Sequence, residues 1–280
     1  MGKNNLEEIE EALKKKTVAM LAPSFVSEFK YPDIVIALRK LGFSKVVELT
    51  FGAKMVNRGY HELLKSKQLW ISTACPGITE FIRSEYPKYA KNLIPVDSPM
   101  IAMAKICRRE FPDYKIVFIS PCHFKKKEAE NSEYVDFVID YQQLRNLLQK
   151  NKIEIKPYKK TKYEIFDSFY NDYTKIYPMA GGLSKTAKLK GIITKEETLI
   201  IDGVSKVKKY LDKGIPSKIR FLDINFCKGG CLGGPCLNKD ISGFRKRRRL
   251  KKYANYAKKA SIKKEGFGSV DRAEGISFRK

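Results

Sequence analysis

Three of the six cysteines, Cys227, Cys231 and Cys236, lie within ten residues that also contain four glycines. Thiolates at this density bind a metal, form disulfides or carry out redox chemistry. The glycines favour a metal, because without Cβ atoms the backbone can adopt positive φ and turn its N–H groups toward bound sulfur at close range. Two more cysteines, Cys75 and Cys122, lie far upstream in proline-containing loops. Cys75, Cys122, Cys227 and Cys231 together make four thiols, the number that a cubane iron–sulfur cluster requires.

Each of the three cysteine loops follows a short apolar run that predicts a buried strand. These runs are 69–72, 115–119 and 219–223. Further strands are predicted at 17–21, 45–49, 137–139 and 198–201, and helices at 7–15, 32–41, 52–67, 79–84, 99–109, 141–150, 204–211 and 242–259. Strands that alternate with helices and are apolar throughout indicate parallel sheets covered on both faces. The predicted fold class is therefore α/β, with mostly parallel sheets flanked by helices and the cysteine loops at the carboxyl ends of strands, where such folds place their sites.

The domain organisation follows from length and local composition. The chain has 280 residues, of which 43% are hydrophobic, enough for a substantial core. We expect one domain over 1–264, made of two lobes with the site between them, and a frayed tail over 265–280. Residues 151–190 are the least regular part and are predicted to form a poorly sheeted connection between the lobes.

Charge and hydropathy restrict the compartment and the partners. No apolar run approaches the roughly 18 residues of a membrane helix, and the first residues do not resemble a signal peptide. A cytoplasmic location is therefore expected, where thiols stay reduced and disulfides are disfavoured. The formal net charge is +25, and it is concentrated only between Arg245 and Lys264, where eleven residues are Lys or Arg. This basic segment predicts a solvated helix face, a dock for an acidic electron-transfer partner, or a nucleic-acid contact.

From about Thr17 to Lys259, the chain resembles the C-terminal domain of the large subunit of iron-only ([FeFe]) hydrogenases. Five motifs carry the resemblance, in the same order as in the family. They are Ala22-Pro23-Ser24, Thr73-Ala74-Cys75-Pro76, Pro121-Cys122 with Lys125 and Glu128, Ala180-Gly181-Gly182, and the run from Cys227 to Gly234. The three residues between Cys227 and Cys231, followed by paired glycines, are a specific signal.

The resemblance implies a ligand set. It places a [4Fe–4S] cluster on Cys75, Cys122, Cys227 and Cys231, the last of which would also bridge to a diiron subsite with carbonyl and cyanide ligands. It further implies a cofactor pocket whose residues here are Pro23, Ser24, Ser98, Lys125, Gly181, Gly229, Gly230 and Gly233. Lys125 matches the lysine that contacts a cyanide.

The departures from the family pattern point to a degenerate or sensory branch. Ala74 stands where active hydrogenases carry a second cysteine that passes protons, and a methyl group holds no proton. Asn57 and Arg58 replace the glutamates of the outer proton path, and Ser120 replaces a methionine. Pro235-Cys236 replaces the usual end of the third loop. No cysteine precedes Cys75, so the ferredoxin clusters are missing from this sequence.

Alternatives to the cluster remain open at this point. The four thiols could be ordinary buried cysteines. Zinc is the rival metal, because the three closely spaced cysteines of the last loop could bind it together with Cys122 or His123, although zinc leaves Cys75 unexplained. Cys236 lies outside the ligand set of the family and is expected to be a free thiol, with a substitute ligand or a redox partner of Cys231 as alternatives.

Other polar residues have bland interpretations. Cys107 falls in an apolar helical stretch and is expected in the core. Lys125-Lys126-Lys127 alone would predict a solvated face. Ser98-Pro99 predicts a helix N-cap followed by proline at the first helical position.

Three functions are compatible with these observations. The first is a cytosolic [4Fe–4S] protein for electron transfer or redox sensing, without efficient hydrogenase turnover and with a ferredoxin-like partner. The second is a slow or sensory [FeFe] hydrogenase that assembles the diiron subsite. The third is a scaffold in iron–sulfur assembly, or a nucleic-acid-linked regulator that uses the basic segment. The oligomeric state is not predicted.

Overall fold

A computed structural model describes residues 6–158 and 165–280, and within them seven strands form two parallel sheets. The strands are β1 (Thr17–Leu21), β2 (Lys45–Glu48), β3 (Trp70–Ile71), β4 (Lys115–Ser120), β5 (Phe137–Asp140), β6 (Thr198–Asp202) and β7 (Phe221–Asn225). The four-stranded sheet has the order β2-β1-β4-β5, and the three-stranded sheet has the order β3-β7-β6. Every pairing between these strands is parallel. The predicted α/β class with parallel sheets is confirmed.

The helices pack around these sheets. They are α1 (Leu6–Leu13), α2 (Asp33–Leu41), α3 (Thr50–Leu63), α4 (Pro76–Glu85), α5 (Pro99–Glu110), α6 (Phe124–Glu130), α7 (Tyr141–Lys150), α8 (Gly182–Thr186), α9 (Val204–Asp212) and α10 (Gly243–Ala257). The predicted cap of α5 is confirmed, because Ser98 Oγ accepts from the Ile101 N–H and Pro99 opens the helix. Across the described part of the chain, no helix combines the length and the apolar character needed to cross a bilayer.

The four-stranded sheet is buried on both faces, which explains its uninterrupted apolar strands. In β1, Ala19 and Leu21 point into one apolar cluster, whereas Val18 and Met20 point into another. All five residues of this strand are buried. Successive side chains of a strand point to opposite faces, so a strand between two helical layers carries apolar residues on both of its faces.

The irregular connection holds a buried ion pair. Lys175 is 0% exposed, and its ammonium group donates to the Glu48 carboxylate at the end of β2. Nearby, Asn171 and Thr174 both donate to the Thr50 carbonyl. In its described part, this connection forms no named strand, and residues 159–164 lie outside the described chain.

The C-terminal residues differ from the frayed tail that the sequence predicts. Arg279 forms an antiparallel bridge with Val96, and the Asp97 N–H donates to the Phe278 carbonyl (2.8 Å). Phe278 also packs against two apolar clusters of the core. Backbone pairing and a partly buried aromatic ring therefore hold the last residues against the domain.

Candidate metal centre

The three cysteine loops start from strand ends that the topology brings together. Cys75 follows β3 and precedes α4, Cys122 follows β4, and Cys227 follows β7. Because β3 and β7 are adjacent and parallel, the loops of Cys75 and Cys227 leave the same edge of one sheet. Cys122 approaches from the carboxyl end of the other sheet. Cys231 lies in the 3₁₀ turn Gly230–Gly233, which continues the Cys227 loop.

One aromatic ring marks the point where these three loops meet. The ring of Phe124, two residues after Cys122, packs edge-on against Phe226 with centroids 4.9 Å apart. A Cβ atom on Gly77 would lie 2.7 Å from the same ring. Gly77 follows Cys75 by two residues and Phe226 immediately precedes Cys227. Contacts within two residues of each cysteine thus bring the loops of Cys75, Cys122 and Cys227 together.

The third loop also rests on the turn that contains the Ala-Gly-Gly motif. The Cys231 N–H donates to the Pro178 carbonyl (2.8 Å). Gly230 adopts φ +68°, and a Cβ there would lie 2.6 Å from the same carbonyl oxygen. Gly181 adopts φ +69° at the start of α8. Both glycines adopt a positive φ, and a side chain would meet backbone at Gly230 and the Ile200 side chain at Gly181.

The remaining glycines of the loop shape its own path. Gly229 adopts φ +87°, and its N–H donates to the Asp202 carboxylate. A Cβ on Gly233 would lie 1.8 Å from the carbonyl oxygen of Lys228. The loop folds back on itself at this position, which only glycine permits.

Neighbouring thiols contribute to the raised pKa values of Cys122, Cys227 and Cys231. Burial raises the pKa of Cys227 to about 12, and Cys122 and Cys75 add to the effect. Burial and then Cys75 raise the pKa of Cys122. For Cys231, burial acts first, followed by the three other thiols. Four thiolates brought together in this way need compensating positive charge, which a bound metal cluster would supply.

Cys231 differs from the other three in its access to solvent. It is exposed, whereas Cys75, Cys122 and Cys227 are partly buried. Surrounding protein nevertheless raises the pKa of its thiol by burial.

Lys125 supplies positive charge beside these thiols. Its charge acts to lower the pKa of both Cys122 and Cys231. Its ammonium group donates to Ser98 Oγ (3.0 Å) and to the Glu128 carboxylate (2.6 Å). The interpretation of 125–127 as a solvated face is wrong for its first two members. Side-chain exposure is 11% for Lys125 and 17% for the next lysine, and only the third, at 61%, is solvated.

The early Ala-Pro loop packs against the turn that carries Cys231. Pro23 and Ser24 lie in a fully buried 3₁₀ helix, Pro23–Ser27. Ser24 Oγ shares a 2.7 Å hydrogen bond with the Tyr141 hydroxyl. Burial raises the pKa of Tyr141, and Cys231 adds to this, so the tyrosine connects this loop to the exposed thiol.

A polar group that the sequence did not single out also faces this region. The Tyr177 hydroxyl is buried and has no hydrogen-bond partner among the described residues. Burial, followed by Tyr60, Asp223 and Cys231, raises its pKa. Ala74 is partly buried and flanks the same apolar cluster as Tyr177. The only advance signal was the position of Tyr177 just before the Ala-Gly-Gly motif.

The donor set therefore suits an iron–sulfur cluster better than the zinc alternative. Four thiols from three strand-end loops share one electrostatic environment, and a glycine-lined loop surrounds two of them. Cys236 does not complete a compact trio with Cys227 and Cys231. It is buried, and its Sγ lies 3.5 Å from the His123 ring nitrogens. Cys107 is buried in the core, as predicted.

Comparisons with known proteins agree with this architecture. The family model described as "Iron only hydrogenase large subunit, C-terminal domain" matches residues 15–235. Iron hydrogenase 1 of Clostridium pasteurianum is 24% identical over 257 residues, which cover 72% of this chain and 44% of that protein. The chain thus spans less than half the length of this relative.

Solved structures show the same fold. A variant of an [FeFe]-hydrogenase from Chlamydomonas reinhardtii superposes with a TM-score of 0.71 at 16% identity, covering 98% of this chain and 94% of that chain. A structure that describes stepwise H-cluster assembly in an [FeFe]-hydrogenase has a TM-score of 0.70 at 15% identity, with the same coverage.

Proposed function

The chain belongs to the family of the iron-only hydrogenase large subunit, C-terminal domain, and we propose that it is an iron–sulfur protein that exchanges single electrons. Cys75, Cys122, Cys227 and Cys231 would hold a [4Fe–4S] cluster. The observation that carries the proposal is the convergence of these four thiols from three strand-end loops: Cys122 and Cys75 add to the raised pKa of Cys227, and all three add to that of Cys231. When bound, such a cluster accepts or donates one electron.

The residues around the thiols would tune this exchange. Backbone N–H groups of a glycine-rich loop and a nearby cation stabilise added negative charge. Lys125 provides that cation, and Ser98 and Glu128 fix its position. Two features of the chain would thus tune the electron exchange: a positioned ammonium group and a glycine-rich loop close to the thiols.

We further propose that dihydrogen turnover is poor. A proton relay needs an ionisable group at its last step, and Ala74 offers a methyl group there. Farther out, Asn57 is buried and donates to Thr186 Oγ1 (2.9 Å), and Arg58 is exposed. Neither an amide nor a guanidinium group can replace a carboxylate as a proton carrier.

A second candidate, a slow or sensory hydrogenase, is favoured by the polar groups around the four thiols. Cys231, the unpartnered Tyr177 hydroxyl and the partly buried Lys125 ammonium group are suited to a further cofactor. When bound, a diiron subsite would supply the centre for dihydrogen chemistry. Infrared spectra after maturation decide between the candidates: we expect no carbonyl or cyanide bands, and their appearance would establish the second one.

The partner we propose is an acidic electron carrier that docks on α10. This helix packs against both Pro23–Ser27 and Gly230–Gly233, next to the Cys231 turn. Arg247, Arg248 and Lys251 lie exposed on it. A carrier bound there would lie close to the thiols, and its binding would weaken with added salt.

The experiment for electron exchange is an anaerobic reductive titration. The reconstituted protein should take up about one electron per chain reversibly and evolve no dihydrogen with reduced viologen. Ala74→Cys, matured with a diiron source, should gain dihydrogen evolution if the missing thiol limits turnover. Efficient dihydrogen evolution by the natural sequence would refute the proposal.

The Arg247→Glu, Arg248→Glu double variant should slow reduction by an acidic ferredoxin, whereas Lys213→Glu should not.

A further inference from the structure

A second group of metal-binding side chains lies beside the four thiols. His123, Asp140 and Cys236 each offer one ligand atom, and these atoms all lie within 4.8 Å of one another. Cys236 Sγ is 3.5 Å from the His123 ring nitrogens. His123 Nδ1 is 4.0 Å from Asp140 Oδ2. A thiol, an imidazole and a carboxylate are the three protein ligand types that zinc binds.

The fold fixes two of these three groups. Asp140 ends β5, which pairs with β4 in the register Ser120↔Asp140, so it lies next to the loop that carries His123. Its Oδ1 accepts from the Gln143 N–H (2.9 Å) in a capping box at the start of α7, which leaves Oδ2 directed toward the histidine. The Cys236 N–H donates to the Pro121 carbonyl (3.3 Å).

Burial and access suit a metal site. Asp140 is 4% exposed and Cys236 is 7% exposed, whereas the His123 side chain is 64% exposed. The three residues line a cleft of about 660 Å³. An ion could therefore enter from the histidine side, and the cleft has room for water as a fourth ligand.

We propose that His123, Asp140 and Cys236 bind a divalent transition-metal ion, zinc by ligand preference, at a site separate from the four-thiol centre. Zinc bonds of about 2.0–2.3 Å at the tetrahedral angle place ligand atoms about 3.3–3.6 Å apart. The observed 3.5 Å and 4.0 Å separations need only small side-chain adjustments. Three protein ligands with an open fourth position match the zinc sites that retain a water.

Lys126 sets the strength of this site. Its ammonium group donates to Asp140 Oδ2 (2.7 Å), the oxygen that faces the histidine. A divalent ion must displace this ammonium group and takes over its role of neutralising the carboxylate. Removing the lysine should therefore tighten metal binding, an effect opposite in sign to that of removing a ligand.

The experiment is an anaerobic zinc titration of the full chain, reconstituted with iron and sulfide, against a chromophoric chelator. Zinc-edge X-ray absorption then reports the ligand atoms. Cys236→Ser, His123→Ala and Asp140→Asn test the ligands, and the asparagine retains an oxygen for the helix cap. The matched controls are Cys107→Ser for the thiol and His61→Ala for the imidazole.

We expect one zinc per chain with a single sulfur ligand. Cys236→Ser and His123→Ala should weaken binding on the order of 100-fold or more, since even outer-shell changes cost about 10–100-fold. Lys126→Gln should tighten it about tenfold, whereas Lys127→Gln should not. No retained zinc, zinc held only by four sulfur ligands, or affinity unchanged by His123→Ala would overturn the proposal. Zinc taken up by four thiols that lack iron would have four sulfur ligands and no dependence on His123, so a failure of iron binding is distinguished from a failure of this site.

Discussion

Gly230→Ala tests how the third cysteine loop is held against its neighbour. Gly230 has φ +68°, and a new Cβ would lie 2.6 Å from the Pro178 carbonyl oxygen and 2.8 Å from the Ala180 nitrogen. The left-handed conformation costs an alanine about 1–2 kcal/mol, and overpacking against backbone costs about 1–3 kcal/mol more. We therefore expect the free energy of unfolding to fall by about 2–5 kcal/mol.

Gly229→Ala is the matched control. It has a similar φ of +87°, yet the nearest atom to its new Cβ is the Gly233 nitrogen at 3.8 Å. Only the conformational cost of about 1–2 kcal/mol applies. Urea unfolding of both metal-free variants should show the difference, and iron uptake should fall in Gly230→Ala because the turn that carries Cys231 must move. Equal destabilisation by the two substitutions would refute the close approach.

Three further predictions follow from buried charge. Lys175→Met should lower the free energy of unfolding by about 3–5 kcal/mol at pH 7, because it leaves the Glu48 carboxylate buried and unpaired. Burial raises the folded-state pKa of Glu48, so the stability of the variant is lost as pH rises. Urea unfolding should therefore show a smaller loss of stability relative to the natural sequence at pH 5 than at pH 7. Lys125→Gln should make the reduction potential of the proposed cluster more negative in a redox titration, because reduction adds negative charge where the ammonium group has been removed. Lys127→Gln is the control, and an equal shift of the potential in that variant would indicate a general charge effect. The pKa of the Cys227 thiol is raised to about 12. In metal-free protein this thiol should react slowly with iodoacetamide at pH 8, and the rate should rise about tenfold for each further pH unit, as followed by mass spectrometry. Rapid modification at pH 7 would contradict its burial.

Local sequence signals predicted the scaffold because the strands are buried on both faces. A short, mostly apolar run such as Thr17–Leu21 is typical of a strand buried on both faces, and the structure gives β1 the same bounds. The strand before Cys227 was predicted two residues early. Its polar residue Asp223 is buried, and Ser184 donates to it through both N–H and hydroxyl (3.0 and 2.7 Å). Because Ser184 is distant in sequence, the sequence pattern ends the strand at Asp223, whereas the structure extends it to Asn225.

Features that depend on distant partners were out of reach. Lys126 is part of a lysine run that looks solvated, and only its ion pair with Asp140 buries it. Lys175 lies in an irregular segment, and its neighbours in sequence do not indicate that it forms an ion pair with Glu48. For the same reason, His123 and Cys236 were considered separately, although the structure places them side by side.

The central claim is that four cysteines hold a [4Fe–4S] cluster, and it is tested by counting metal. The protein is reconstituted anaerobically with iron and sulfide and desalted, and an EPR spectrum is recorded after reduction. We predict about four irons and four sulfides per chain with a reduced-cubane signal, lost in Cys227→Ala and retained in Cys107→Ala. Folded protein that binds no iron, or an iron content and signal unchanged in Cys227→Ala, would contradict the account.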